Sequence, residues 1–296
     1  MRILITGTSG QVDTALRAYG DRHDLIFIGL PDVDLSHTAA LPDIVKSHKP
    51  EAILSVAAYT AVDKAESESD LVHAVNAGAP KALAEAAAHL DIPIVHISTD
   101  YVFDGSKSSK YIETDAPAPI SVYGHSKLLG EQNIAKATHN YAVLRTAWVY
   151  SPFGTNFVKT MLRLAETRDE INVVADQYGC PTYALDIAKT AIAVAERLVK
   201  DKDPELRGVF HLTSQGEAHW AQFAEAIFEG SKARGGRFAK VNHITTDQYP
   251  TPAKRPVNSR LSAEKLKMVY GIELPQWQQA LDHCLSELII AQRSPS

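Results

Sequence analysis

Cysteine is scarce: Cys180 and Cys284 are the only two in 296 residues, and neither belongs to a C-x-x-C pair. A disulfide scaffold or zinc cluster is therefore not expected, and the usage fits a reducing cytosol. The 12 histidines include no H-E-x-x-H and no pair four residues apart, so a helical metal site is not expected either. No run of ~18 apolar residues is present to cross a bilayer. The opening RILITG lacks the apolar region and cleavage site of a secretory signal. We expect a cytoplasmic, unprocessed protein without a membrane partner. Positive charge is not in excess: 30 Lys and Arg against 35 Asp and Glu give a formal net charge of −5, which offers no nucleic-acid footprint. Lys232, Arg234, Arg237 and Lys240 read as a solvated loop. Internal repeats, low-complexity tracts and the G-x-S-x-G of a serine hydrolase are also missing. The expected partner is a small molecule.

With 45% hydrophobic residues the chain can build a large core. Strand-like runs (RILIT, LIFIG near 25, AILSVAA near 52, IPIVHIS near 92, YAVLRTAWV near 141) alternate with helical patterns. LVHAVNAGAPKALAEAAAHL reads as one long Ala-rich helix and YGHSKLLGEQNIAKAT as another. Alternation of this kind predicts βαβ crossovers and an α/β, Rossmann-type, doubly wound parallel sheet over residues 1–150. Residues 151–296, with the proline-punctuated QYPTPAKRPVNSRL, predict a smaller substrate-binding lobe, of which part of 183–206 packs back onto the first. The boundary is soft, since no Gly/Ser-rich linker marks it.

TGTSGQVDTAL, residues 6–16, follows the first strand and opens a helix. Such a turn aims backbone N–H groups and the positive helix end at a pyrophosphate, and Gly7 and Gly10 keep side chains out of its way. Asp13 stands where such loops place a third glycine. A carboxylate in the first helical turn suits the helix dipole, but its bulk implies a slightly displaced helix or a side chain turned away from the phosphates. We expect weakened, not abolished, cofactor affinity. The second strand ends in Gly29 and Leu30, with no acid to grip a ribose 2′-hydroxyl and no arginine for a 2′-phosphate. This leans to NADPH, with NADH possible. Asp34, in VDLS after a short third strand, either reaches the adenine or is a solvated loop acid.

Tyr123 and Lys127 are four apart, so a helix starting near Tyr123 brings them to one face. A lysine beside a phenol is expected to lower its pKa and ready it for proton exchange with a carbonyl or hydroxyl. The preceding strand ends in Ser98, Thr99 and Asp100, where ligands of open α/β sheets bind. Thr99 could there polarise a substrate carbonyl.

GxxGQV at the start, AAYTAVDKAESE at 57–68, STDYVFDG at 98–105, YGHSK at 123–127, RTAWVY at 145–150, DQYGCPT at 176–182 and YPTPAKRPVNSRL at 249–261 together closely resemble the dTDP-4-dehydrorhamnose reductases, which are extended short-chain dehydrogenase/reductases. The resemblance runs in order over nearly the whole chain. It implies reduction by NAD(P)H of the C4 ketone of dTDP-4-dehydro-6-deoxy-L-mannose to dTDP-L-rhamnose, a precursor of surface polysaccharide. By resemblance, Thr99, Tyr123 and Lys127 are the catalytic set. Gly7, Gly10, Gln11, Val12, Asp34, Leu35, Ala57, Ala58, Tyr59 and Lys127 are expected along the cofactor. Val62, Asp63, Asp100, Tyr101, Trp148, Asn156, Gln177 and Arg255 join Thr99 and Tyr123 at the sugar nucleotide. Arg255 suits a diphosphate, because a guanidinium grips it with paired hydrogen bonds. Asp63 and Lys64 either shape the pocket floor or cap a helix.

Besides Asp13, a second departure is Ala15, where some members carry a glutamate that helps a magnesium ion bridge a dimer. The expectation is therefore no metal, and a monomer or a metal-independent homodimer. Two other readings share the fold. A 4,6-dehydratase carries an acidic pair after the strand-end threonine, whereas Tyr101 and Val102 follow Asp100 here; an epimerase or related nucleotide-sugar reductase stays open. A non-catalytic NAD(P)-binding regulatory subunit would keep the dinucleotide site, and the intact Thr99, Tyr123 and Lys127 speak against it.

Overall fold

The structure, a computed structural model, describes residues 1–20 and 22–293. Strands β1 (Arg2–Thr6), β2 (Asp24–Ile28), β3 (Ala52–Ser55), β4 (Ile94–Thr99), β5 (Tyr141–Thr146) and β10 (Gly208–His211) form one six-stranded sheet in the order β10-β5-β4-β3-β1-β2. Every pairing in it is parallel. The chain reverses its winding between β1 and β3, which opens a crevice at the carboxyl ends of the strands. The VDLS segment is a turn, not the expected short strand. Asp34 accepts from the amide and hydroxyl of Ser36, and this local bonding competes with strand pairing.

Period-two alternation sends the strand residues to two cores. Ile3, Ile5, Leu54, Val95 and Ile97 face one side, Leu4, Ile53 and Ile94 the other. Helices α2 (Leu41–His48) and α5 (Ala79–His89) cover the second side together with α6 (Val122–Ala137). The first side is covered by α1 (Gln11–Tyr19) and α8 (Ala184–Lys200), which pack on each other. Both α8 and β10 come from beyond residue 150, so the large sheet is completed by the later part of the chain.

The long Ala-rich helix is interrupted. After the short helices α3 (Val62–Ala65) and α4 (Ser69–His73), a π-helical turn, Ala74–Gly78, precedes α5. Pro80 in the first turn of α5 has no N–H to continue a regular ladder. The π turn pushes Asn76 inward, where its amide bridges the backbone of Tyr59 (2.8 and 3.1 Å) and the Ser126 hydroxyl (3.0 Å).

The remaining elements are β6 (Val149–Tyr150), α7 (Phe157–Leu164), β7 (Glu170–Val174), β8 (Tyr178–Gly179), β9 (Thr182–Tyr183), β11 (Ala218–His219), α9 (Trp220–Ala233), β12 (Lys240–Ile244), α10 (Glu264–Tyr270) and α11 (Trp277–Arg293). They pair as three two-stranded sheets, β7 with β12, β8 with β11 and β6 with β9. Residues before and after 150 share one hydrophobic core, from Ile3 to Leu285. Among the described residues no helix is long and apolar enough to cross a membrane.

Candidate active site

A cleft of ≈ 680 Å³ runs from the glycine loop, across the ends of β1, β3, β4 and β5, to an aromatic wall from the later part of the chain. Gly7 and Gly10 open it. Gly7 has φ +110°, a left-handed conformation that favours glycine. Gly10 caps α1 without a side chain, which leaves the amides of the helix start to an anion. That cradle fits a dinucleotide pyrophosphate.

Asp13 is enclosed by the loop itself. It is buried beneath the loop, and a Cβ on Gly10 would stand 2.4 Å from its Oδ1. Its carboxylate takes the backbone amides of Gly10 and Asp13, while Oδ2 has no partner. Burial raises its pKa against those hydrogen bonds and the charge of Arg17. Asp13 thus ties the glycine loop to the helix start from beneath.

Around this end the cleft also collects Gln11, Val12, Asp34, Leu35, Ala57 and Ala58. The Thr6 hydroxyl accepts from the amides of Val56 and Ala57 at 3.0 and 3.1 Å, which fixes the chain leaving β3. Gln11 is spent structurally: Nε2 donates to the Val149 carbonyl, and Oε1 accepts from Ser151 and Asn156. Tyr59 does not line the cleft; its hydroxyl donates to Glu68 at 2.5 Å.

The candidate chemical centre lies where β4 ends and α6 begins. The Ser121 hydroxyl caps α6 by accepting from Gly124 N. Glycine is required at 124 and 130, because a Cβ would come 2.3 Å from the Tyr101 carbonyl and from the Asn76 carbonyl respectively. The helix is thereby set close to β4, and Thr99, Asp100, Tyr101, Tyr123 and Lys127 share the cleft. The Thr99 hydroxyl donates to Asp100 Oδ1 at 3.0 Å and hydrogen-bonds Tyr123. Burial lifts Asp100 to about 6 against hydrogen bonds from Ser259 and Thr99, and its Oδ2 is unpartnered.

The expectation that Lys127 lowers the Tyr123 pKa does not hold in this arrangement. Desolvation pushes the phenol up to about 12, opposed by the Thr99 hydrogen bond and reinforced by Asp100. Lys127 is buried, and its ammonium donates to the Ile97 carbonyl at 2.7 Å and to His96 Nε2 at 3.0 Å. Desolvation lowers the lysine to about 8, with Glu131 pulling the other way.

Trp148 forms the far wall with φ +47°. It stacks on Trp220 at 3.5 Å, and a Cβ on Gly179 would lie 2.3 Å from its ring. Sequence reasoning missed Trp220, which starts α9 and meets Trp148 only through tertiary packing; Thr146, whose buried Oγ1 is unpartnered in the cleft, was also missed. Val62 lines the cleft. Asn156 does so too, but its side chain is taken up by capping α7 and by Gln11, Ser151 and Phe153. Three expected substrate residues do not line it: Gln177 donates to Thr246, while Asp63 and Arg255 pair at 2.8 Å beside Tyr101, a pairing that holds the Asp63 carboxyl below its usual range.

The chain matches the family described as RmlD substrate binding domain over residues 1–290. A dTDP-4-dehydrorhamnose reductase of Sinorhizobium fredii is 48% identical over 291 residues, 98% of each chain. The dTDP-4-dehydrorhamnose reductase of Clostridium acetobutylicum superposes with a TM-score of 0.90 at 37% identity, covering 97% of this chain and 99% of that one. That of Bacillus anthracis, solved in complex with NADP, has a TM-score of 0.90 at 33% identity with the same coverage. Identity of this depth, spread over nearly the full length of the relatives and not confined to the nucleotide-binding half, makes the chain a member of the dTDP-4-dehydrorhamnose reductase family.

Proposed function

We propose that this protein reduces the C4 ketone of dTDP-4-dehydro-6-deoxy-L-mannose to dTDP-L-rhamnose with NADPH, and also accepts NADH. The observation that carries the reading is the meeting of Thr99, Tyr123 and Lys127 in the cleft that the glycine loop opens. The nicotinamide supplies the hydride when bound. Gly7, Gly10, Val12, Leu35, Ala57 and Ala58 would hold the dinucleotide, and Lys127 its nicotinamide ribose.

Tyr123 supplies the proton. A phenol raised to about 12 keeps its proton at neutral pH, as an acid for ketone reduction must. It releases that proton to the C4 oxygen as negative charge develops there, and Thr99 steadies the same oxygen. Trp148 and Trp220 offer an aromatic wall to the sugar. The Asp63–Arg255 pair stands beside Tyr101, where Arg255 could be shared with a diphosphate. A cytoplasmic setting is supported by two buried, unpaired cysteines.

The test is oxidation of NADPH, then NADH, by purified protein on the enzymatically prepared keto-sugar. Tyr123→Phe is expected to lower kcat by about 10²–10⁴-fold with cofactor affinity retained. Cofactor binding without turnover would point instead to another keto-sugar or to the non-catalytic subunit.

A further inference from the structure

Behind the cleft, away from the substrate, the imidazole of His96 on β4 is fully enclosed. Nδ1 lies 2.9 Å from the Ser55 hydroxyl on β3, and Nε2 lies 3.0 Å from Lys127 Nζ on α6. An ammonium has only N–H donors, so Nε2 must accept. Nδ1 therefore carries the ring proton and donates to Ser55, which fixes the tautomer. The imidazole is neutral: burial and the facing lysine charge both drive its pKa far down. We infer that His96 is a positioning residue for Lys127, holding the ammonium in place by a neutral acceptor and so preserving its charge for the cofactor ribose.

The chemistry explains the residue type. The Ile97 carbonyl and His96 together take two of the three ammonium protons, which leaves one directed elsewhere. A carboxylate at position 96 would pair with Lys127 and cancel the charge that it offers the cofactor ribose. An aliphatic residue would leave a buried ammonium short of a partner and favour its deprotonation. The other charged groups around Lys127 are already committed. Glu131, one turn along α6, is bound by Arg145 of β5 (2.6 Å) and by the Ser98 hydroxyl of β4 (2.5 Å). Tyr123 on α6 is neutral, and Asp100, just past β4, bonds Thr99. His96 is thus the one direct side-chain partner of the Lys127 ammonium among the described residues.

This inference rests on the proposed dinucleotide-dependent reduction, and its test separates the two. NADP⁺ affinity is measured by equilibrium titration from neutral to alkaline pH, alongside the pH profile of kcat. In the wild type, affinity should break downward near the Lys127 value, about pH 8. His96→Leu should move that break down by about one unit, weakening binding roughly tenfold well above it. His96→Gln, which restores an acceptor, should return the break most of the way. Ser55→Ala, a small change that frees the tautomer, should move it in the same direction by less, and it serves if His96→Leu does not fold. The kcat profile should shift in parallel, with KM for the keto-sugar unchanged. A break that stays put in His96→Leu and Ser55→Ala overturns the inference. A wild type that binds no NADP⁺ at any pH overturns the functional reading instead.

Discussion

At the scale of single residues, the candidate centre is oriented by partners distant in the chain, since the Lys127 ammonium on α6 is held by His96 and Ile97 of β4. Tyr123 and Lys127 were legible because helical spacing alone puts them on one face. The direction of Lys127 was not, because it is set by His96 and Ile97, thirty positions away on another element. Asp13 was likewise visible as an anomaly, while its fold under the glycines depends on the loop around it. A carboxyl buried under a phosphate-binding loop repels pyrophosphate whenever it is ionised. Cofactor binding is therefore expected to take up a proton at Asp13, so affinity falls as pH rises through that carboxyl's raised pKa. Asp13→Asn and Asp13→Gly should bind NADP⁺ and NAD⁺ several-fold tighter at neutral pH and flatten this dependence; calorimetry in buffers of different ionisation enthalpy counts the protons directly. Asp100 has its own pH signature. Its folded pKa of about 6 exceeds the unfolded carboxylate value, so its contribution is intact below about pH 4 and is lost as pH rises toward 6. The loss is roughly 3 kcal/mol, and Asp100→Asn should be free of it in denaturant titrations at the two pH values.

At the scale of elements, the strand and helix rhythm of the first 150 residues was readable, because a parallel sheet needs apolar strands separated by amphipathic helices. The break in the Ala-rich helix was not. An inserted π turn leaves the hydrophobic pattern almost unchanged, although Pro80 and Gly78 stood where it occurs. Such turns are frequent at functional sites, and this one presents the Asn76 carbonyl to Gly130 of α6. Gly130→Ala forces a Cβ against backbone, which cannot rotate aside. We expect a loss of about 1–3 kcal/mol and a kcat lowered more than KM is raised, since α6 carries Tyr123 and Lys127 together. Thermal melts and steady-state kinetics of the variant check both, and an unchanged kcat would show that α6 slides without disturbing the centre.

At the scale of the whole molecule, a boundary at residue 150 was the natural reading of a change in rhythm, yet the packing runs across it. Helix α8 lies against α1 and the sheet, and β10 pairs with β5 from Ala142 to Arg145. A fragment of residues 1–150 should therefore not fold alone: it would expose the α8-facing core and an unpaired edge on β5. Cooperative unfolding of that fragment, read by circular dichroism, would contradict this. The place of β10 also governs events before the protein is complete. β5 is finished at Thr146, but its neighbour is not translated until Gly208–His211. At typical synthesis rates this leaves roughly 3–12 s in which the nascent chain presents a naked strand at the ribosome, an interval in which chaperones, codon choice and crowding act on yield without altering a single contact of the finished enzyme.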